Sequence, residues 1–178
     1  MYIWMLGIGT CVGYGRTWQE LHDCLNSITT ILRLGDNARL VIYVHNLSYE
    51  WQFMRKHFNW DKCFFMDNRQ PLYCVTEGFE FRCSLKLTNK SLANCGKDLL
   101  KYPVQKMVGD LDYSLIRHNE TPLTEKELGY CENDIRVLLS LIQEKIEQDG
   151  NIHKIPYTLT GYVRDFCRTR CFRELEVS

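Results

Sequence analysis

The sequence lacks several patterns that would assign it to a familiar class. Its nine cysteines include no Cys-x-x-Cys pair, and their spacing matches no zinc site. Its net charge is zero, so no overall positive field predicts nucleic-acid binding, and such a role has to depend on local basic patches. The apolar start, residues 1–9, is too short for a membrane span and has neither the basic lead-in nor the cleavage site of a signal peptide.

The composition is that of an ordinary globular protein. The chain has 178 residues, of which 45% are hydrophobic and 25% are charged. That length suits a single domain with a substantial hydrophobic core, and the balance of residues argues against disorder. Because zinc spacing is absent, the cysteines are interpreted as buried free thiols, which predicts a reducing, cytoplasmic location.

The first half of the chain alternates between strand and helix patterns. Residues 2–9 have the pattern of a strand, followed by a glycine-rich turn through Gly13 and Gly15, and Thr17 opens a capping box before a helix. Residues 39–45 form a near-continuous apolar run, as expected of a strand buried on both faces. Ser48 is positioned to cap the short helix that follows.

The second half adds a hairpin and longer helices. Strands are predicted at residues 64–66, 72–76 and 79–83, with Glu77-Gly78 as the turn between the last two. Helices are predicted at residues 91–100, from a second capping box at Thr124 to residue 149, and at residues 159–173. Residues 109–113 are predicted to be extended. Together these elements predict an α/β fold with a mixed central sheet and helices packed on its faces.

Three polar residues stand out because of where they fall in these elements. Glu50 follows the apolar strand 39–45, at the edge where α/β sheets usually present ligands. Tyr130 and Asp134 are four residues apart and therefore share one face of the predicted helix. Carboxylates that hold Mg²⁺ or Mn²⁺, beside a phenol that orients water, are the components of a metal-dependent phosphodiester-cleaving site.

Each of these residues also has an ordinary structural explanation. Tyr130 could be a core aromatic residue and Asp134 a solvated helix edge, because pairs at this spacing are common. Glu50 could be a first-turn acid favoured by the helix dipole, and Asn46 a turn residue after a strand. Spacing alone favours the structural explanation.

A family resemblance favours the functional explanation. The segment His45-Asn46-Leu47-Ser48-Tyr49-Glu50 resembles the second exonuclease motif of the protein-primed family B DNA polymerases of phages and linear plasmids. Residues 130–134 resemble the third motif, in its tyrosine version. Residues 83–86 resemble a segment that grips single-stranded DNA, residues 109–113 match a stretch before the third motif, and residues 155–161 are similar to the exit toward the palm. Order and spacing agree over nearly the whole chain.

The resemblance implies a ribonuclease-H-like fold and 3′–5′ proofreading of single-stranded DNA ends. It assigns residues 1–150 to the exonuclease domain and residues 151–178 to a linker that leads toward the palm. It makes Glu50 and Asp134 the ligands of Mg²⁺ or Mn²⁺ ions and Tyr130 the phenol that orients water. The residues implied to contact the 3′ end are His45, Asn46, Phe53, Ser84 and Leu85. Lys106 corresponds to a lysine near the scissile phosphate, although its local spacing is shifted.

The implied partners are the single-stranded 3′ end, the remainder of the polymerase and the terminal protein. No membrane partner is implied.

The sequence also departs from the family. Glu50 stands where the family usually has aspartate, and no Asp-x-Glu precedes it, so the first motif and its strand are absent. Residues 174–176 carry two glutamates, but they lie at the C-terminal end of the sequence and do not replace that motif. The sequence also contains no palm motif of the polymerase. We therefore expect an N-terminally truncated exonuclease domain that is weak or inactive by itself.

An absent first strand has a physical consequence for residues 2–9. This uncharged strand would expose an edge that invites non-native pairing. We therefore expect the isolated chain to be poorly soluble or to dimerise through this strand, and to gain stability when an upstream segment is supplied.

Two other functions are compatible with the sequence. One is a ribonuclease-H-like module that holds single-stranded DNA without cutting it, through basic residues that bind the backbone and rings that stack on bases. The basic candidates are Lys86, Lys90, Lys97, Lys101, Lys106, Arg164, Arg168, Arg170 and Arg173, and the aromatic candidates are Tyr49, Trp51, Phe53 and Phe81. The basic stretches could equally be solvated surface. The other function is a stand-alone cytosolic exonuclease that recruits its remaining acids from elsewhere in the chain.

Overall fold

The computed structural model describes residues 2–105, 107 and 115–175, with side chains as far as residue 171. These residues form two β-sheets and six α-helices. The first sheet is an antiparallel hairpin of β1 (Trp4–Ile8) and β2 (Cys11–Gly15). The second sheet has the strand order β3-β6-β5-β4. Its members are β3 (Leu40–Val44), β4 (Lys62–Asp67), β5 (Gln70–Thr76) and β6 (Phe79–Cys83).

The described residues form six α-helices. They are α1 (Trp18–Leu32), α2 (Leu47–Met54), α3 (Ser84–Thr88), α4 (Leu92–Asp98), α5 (Glu125–Asp149) and α6 (Leu159–Leu175). The predicted capping boxes at Thr17 and Thr124 are both present, at the starts of α1 and α5. Each box satisfies backbone N–H groups that a helix start leaves unpaired. Among the described residues, no helix combines the length and the apolar character needed to cross a membrane.

The four-stranded sheet is mixed. β3 runs parallel to β6, with Val44 opposite Cys83, whereas β5 is antiparallel to both of its neighbours. The β5–β6 hairpin turns at Gly78, whose φ of 85° is a left-handed conformation that glycine adopts without strain. α2 packs on β5 and β6, while α5 packs on the β1–β2 hairpin. The predicted α/β fold, a mixed sheet flanked by helices, is confirmed and is compatible with a ribonuclease-H-like fold.

The main hydrophobic core lies between the sheet and helices α1 and α2. Its buried members are Leu25, Leu47, Met54, Phe79, Phe81 and Cys83. Partly buried side chains of β3 pack against this cluster, and so does Leu6 of β1. The same apolar contacts therefore hold the hairpin and the main sheet together.

A glycine sets how closely α5 approaches the hairpin. A methyl group at Gly7 would lie 2.6 Å from side-chain carbons of Ile135 and Leu139. That separation is well inside van der Waals contact, which for carbon atoms is about 3.5–4.0 Å. A larger residue at position 7 would therefore require the Ile135 and Leu139 side chains to shift.

Three details of the sequence prediction are wrong. The residues around Gly13 and Gly15 form β2 instead of a turn, because they pair with β1. Ser48 lies inside α2, and the residue that caps this helix is Asn46. All five residues of β3 are only partly buried, because within the described part of the chain β3 is paired with β6 alone. The extended segment predicted at residues 109–113 lies outside the described residues.

A buried ion pair fastens the segment after α5 to the sheet. Arg82 and Glu80 of β6 form this pair at 2.7 Å, with side chains only 7% and 13% exposed. The Tyr157 hydroxyl donates to the Glu80 carboxylate at 2.8 Å, and the Arg82 guanidinium lies 4.7 Å from the centre of the Tyr157 ring. Arg82 also donates to the carbonyl of Ile152 at 3.4 Å.

This ion pair leads to a stability prediction. We expect Arg82→Ala to lower the free energy of unfolding by about 3–5 kcal/mol, because it leaves the Glu80 carboxylate buried without its opposite charge. The matched control is Lys90→Ala, which removes an ion pair with Asp98 between side chains that are about half exposed. That change should cost much less, because solvent screens an exposed ion pair. Urea denaturation measures both values, and equal losses would contradict the prediction.

Candidate nucleic-acid interface

The parallel strands β3 and β6 end side by side, and the residues that follow them meet. His45 follows β3 and Ser84 follows β6. The His45 Nδ1 atom lies 3.0 Å from the Ser84 Oγ atom, within hydrogen-bonding distance, and Ser84 also donates to the carbonyl of Val44 at 3.5 Å. Ser84 is completely buried, and its hydroxyl contacts the half-buried imidazole of His45 from the protein interior. The structure thus brings together two residues that lie far apart in the sequence.

Asn46 has a left-handed backbone at this edge. Its φ of 61° and ψ of 56° lie in a region that asparagine adopts more readily than most residues other than glycine. Its carbonyl accepts the N–H groups of Tyr49 and Glu50, at 2.9 Å and 3.5 Å. Its side chain makes no capping bond, and the residue is exposed. The carboxamide of Asn46 is therefore available to solvent directly after His45 in the sequence.

Helix α2 has an inner face and an outer face. Leu47 and Met54 are buried in the core, and Glu50 falls on the same face by helical spacing. Burial raises the pKa of the Glu50 carboxyl above its ordinary value. On the outer face, the rings of Tyr49 and Phe53 are 60% and 51% exposed and meet edge to face, with centroids 5.3 Å apart.

Helix α5 carries Tyr130 and Asp134, as predicted, on its inner face. Both residues share the helix face of Val137 and Leu141, which are buried. The Oδ1 atom of Asp134 is itself buried, so this residue is not the solvated helix edge of the structural explanation. Burial first, and then the negative charge of Asp134, raise the pKa of the neighbouring Cys131 thiol.

Asn133 has a role that the sequence analysis missed. Its carboxamide oxygen accepts the backbone N–H of Met107 at 2.7 Å, and its carboxamide nitrogen donates to the carbonyl of Gln105 at 3.0 Å. One side chain therefore attaches Gln105 and Met107 to α5, at the residue before Asp134. The only signal in the sequence is that Asn133 belongs to the motif of Tyr130 and Asp134. Lys106 lies outside the described residues.

The donor atoms suit a divalent cation in kind. Glu50 and Asp134 offer carboxylate oxygens, the ligands that Mg²⁺ and Mn²⁺ prefer. Within residues 2–105, 107 and 115–175, however, no group of three or more His, Cys, Asp or Glu side chains could hold a metal ion. The described part of the chain therefore supplies suitable ligands without supplying a complete set.

Part of the basic and aromatic surface expected from the sequence is already engaged within the protein. Phe81 belongs to the hydrophobic core and is only 5% exposed, so it is not a stacking surface. Three of the candidate lysines bind other side chains: Lys86 binds Gln70 at 3.0 Å, Lys90 binds Asp98 at 2.6 Å and Lys101 binds Glu147 at 2.8 Å. The outer face of α2 remains the most accessible aromatic surface near His45.

The fold is similar to that of a polymerase. The structure matches phi29 DNA polymerase complexed with single-stranded DNA with a TM-score of 0.59, over 78% of this chain. The sequence identity is 17%, so the similarity is one of fold, and the matched region is 26% of that polymerase chain. No protein-family model matches the sequence, and no curated protein matches it.

The burial of Glu50 predicts a pH-dependent stability. Its pKa is higher in the folded chain than in the unfolded chain, so the folded state holds this proton more tightly. Stability is therefore lost as the pH rises from about 4.3, the ordinary glutamate pKa, through the raised folded value. We expect Glu50→Gln to raise the urea midpoint at pH of about 7 and to change it little at pH of about 4.

The control is Glu77→Gln, which alters an exposed glutamate at the β5–β6 turn. It should shift the midpoint little at either pH. A Glu50→Gln variant that is less stable than the wild type at neutral pH would show that the Glu50 carboxylate has a stabilising partner in the folded chain.

Proposed function

We propose that the chain is the 3′–5′ exonuclease region of a protein-primed family B DNA polymerase, and that it binds single-stranded DNA 3′ ends at the carboxyl edge of β3 and β6. The observation that carries this proposal is the contact between His45 and Ser84 across the two strand ends. Two segments that resemble DNA-contacting motifs of that family thereby meet at one edge of the sheet. The fold similarity to phi29 DNA polymerase supports the same interpretation.

The surface offers the groups that a single strand requires. The exposed rings of Tyr49 and Phe53 can stack on successive bases, a contact that tolerates any sequence. The Asn46 carboxamide can donate to a sugar or phosphate oxygen and can accept from a base. His45 is anchored by Ser84, which fixes its ring for a contact with the terminal nucleotide. Leu85, partly buried beside the same edge, provides an apolar wall.

The hydrolytic groups lie on the inner faces of α2 and α5. Glu50 and Asp134 would hold Mg²⁺ or Mn²⁺, which when bound would supply charge stabilisation at the phosphodiester. The Tyr130 hydroxyl would orient the attacking water through a hydrogen bond. Asn133, the residue before Asp134, attaches Gln105 and Met107 to α5, and Lys106 would contact the scissile phosphate. The proposed partners are the remainder of the polymerase and the terminal protein. The proposed location is the cytoplasm.

A second candidate function is a module that holds single-stranded DNA without cutting it. One observation favours it: within the described residues, no group of three or more His, Cys, Asp or Glu side chains could hold a metal ion. Binding would then use the same edge and the same rings, whereas Tyr130 would have no water to orient. Hydrolysis therefore separates the two functions, and binding does not.

Binding of single-stranded DNA tests the surface. We expect Phe53→Ala and Tyr49→Ala each to weaken binding of a fluorescently labelled oligodeoxythymidine by about 5-fold or more, since a base–aromatic stack contributes about 1–3 kcal/mol. Tyr14→Ala is the control, because this ring on β2 is equally exposed, at 51%, and lies outside the proposed surface. Fluorescence anisotropy gives the affinities. Equal effects of all three substitutions, or no binding by the wild type, would refute the proposed surface.

Nuclease assays test the chemistry. We expect the chain to digest a labelled single-stranded 3′ end weakly or not at all in Mg²⁺, because Mg²⁺ gives up its waters reluctantly and a partial ligand set neutralises its charge incompletely. Any residual activity should be higher in Mn²⁺ and should be lost in Asp134→Asn and Tyr130→Phe. Robust Mg²⁺-dependent digestion that Asp134→Ala abolishes would instead support a stand-alone exonuclease. Binding without any hydrolysis in either metal would support the module.

A further inference from the structure

Two cysteines lie directly opposite each other on neighbouring strands. Cys63 of β4 and Cys74 of β5 are register partners in the antiparallel pair. Partners in such a pair point to the same face of the sheet, with Cβ atoms about 4.5–5.5 Å apart. The two thiols are close enough to share a hydrogen bond, and both are free. No other cysteine of the chain has a cysteine as its register partner in the described strands.

The backbone spacing of this pair matches that of a disulfide. Residues opposite each other on antiparallel strands have Cα atoms about 4.5 or 5.5 Å apart, depending on the hydrogen-bonding pattern. Disulfides form at Cα separations of about 4.4–6.8 Å. The Cβ atoms of a disulfide lie about 3.5–4.5 Å apart, so a bond between Cys63 and Cys74 requires rotation of the two side chains and a slight approach of the two strands. The strand irregularity at Phe64 and Phe65 lies beyond the pair and does not break its register.

The two thiols differ in access. Cys74 is completely buried and has Phe81 as its partner on β6, so it faces the core beneath α2. Cys63 is nearer the sheet edge and is partly exposed. A reagent from solvent therefore reaches Cys63 first, and Cys74 is reached only through Cys63.

We propose that Cys63 and Cys74 form a reversible modification site that reacts with small-molecule disulfides such as oxidised glutathione. Cys63 loses its proton and attacks one sulfur of the reagent, whose disulfide breaks and releases one glutathione thiolate that takes up the proton. Cys74 then loses its proton and attacks the Cys63 sulfur, which displaces the second glutathione. Two protein thiols are oxidised to one disulfide, and one reagent disulfide is reduced to two thiols.

The surroundings determine the rate of this reaction. Burial raises the pKa of the Cys63 thiol and, more strongly, that of Cys74. Because the thiolate is the attacking species, the reaction is slow at neutral pH and accelerates as the pH rises. The two cysteines are thus paired by their positions on neighbouring strands and not by a high reactivity of either thiol. A bond there joins β4 to β5 beneath α2, the helix that carries Glu50.

Peptide mapping tests the proposal on the native chain. Trypsin cleaves after Lys62, Arg69 and Arg82, so Cys63 and Cys74 fall in separate peptides, residues 63–69 and 70–82, each with a single cysteine. After incubation of the folded protein with oxidised glutathione and alkylation of free thiols, we expect these two peptides to be joined as the dominant internal disulfide. The linkage should form faster at higher pH, and it should become a minor product when the protein is oxidised in urea.

Two variants test the order of the steps. Cys74→Ala should accumulate a mixed disulfide of Cys63 with glutathione, because the resolving thiol is gone. Cys63→Ser should leave Cys74 unmodified, because Cys74 is buried. The exposed Cys167 and Cys171 of α6 are internal controls, since they are accessible and should accept glutathione as mixed disulfides. A native protein in which glutathione persists on Cys63, or in which Cys63 pairs with another cysteine, would overturn the proposal.

Discussion

The parallel pairing of β3 with β6 is the constraint on which the candidate interface depends. It places Val44 opposite Cys83, so the residues that follow the two strands emerge at one edge. The 3.0 Å contact of His45 with Ser84 follows directly from that register. A slip of one residue would turn every side chain of β3 to the opposite face and would separate this pair. The same register fixes where α2 begins, and with it the position of Glu50.

Burial of charge has two different outcomes in this chain. Glu80 lies on the sheet with Arg82 at 2.7 Å, so its negative charge is neutralised where it is buried. For Glu50, burial itself is the cause of the raised pKa. The negative charge of Glu80 thus has its counter-ion within the sheet, whereas ionisation of Glu50 costs folding free energy.

Local signals in the sequence predicted most of the elements. The capping boxes at Thr17 and Thr124 and the turn at Gly78 act within a few residues, so their outcome is decided by nearby chemistry. The lysines that bind Gln70 and Glu147 depend on contacts between segments 16 and 46 residues apart, which periodicity does not encode. The motifs identified the candidate residues of α2 and α5, but the attachment of residues 105 and 107 by Asn133 required the structure.

The close contact at Gly7 has a mechanical consequence. Helix α5 is 25 residues long and packs on the hairpin through Ile135 and Leu139. A side chain at position 7 would be accommodated by a shift of these two side chains or of the helix itself. Either response acts on the helix that also carries Tyr130 and Asp134. Gly7 therefore couples the packing of the N-terminal hairpin to the helix on which two of the candidate residues lie.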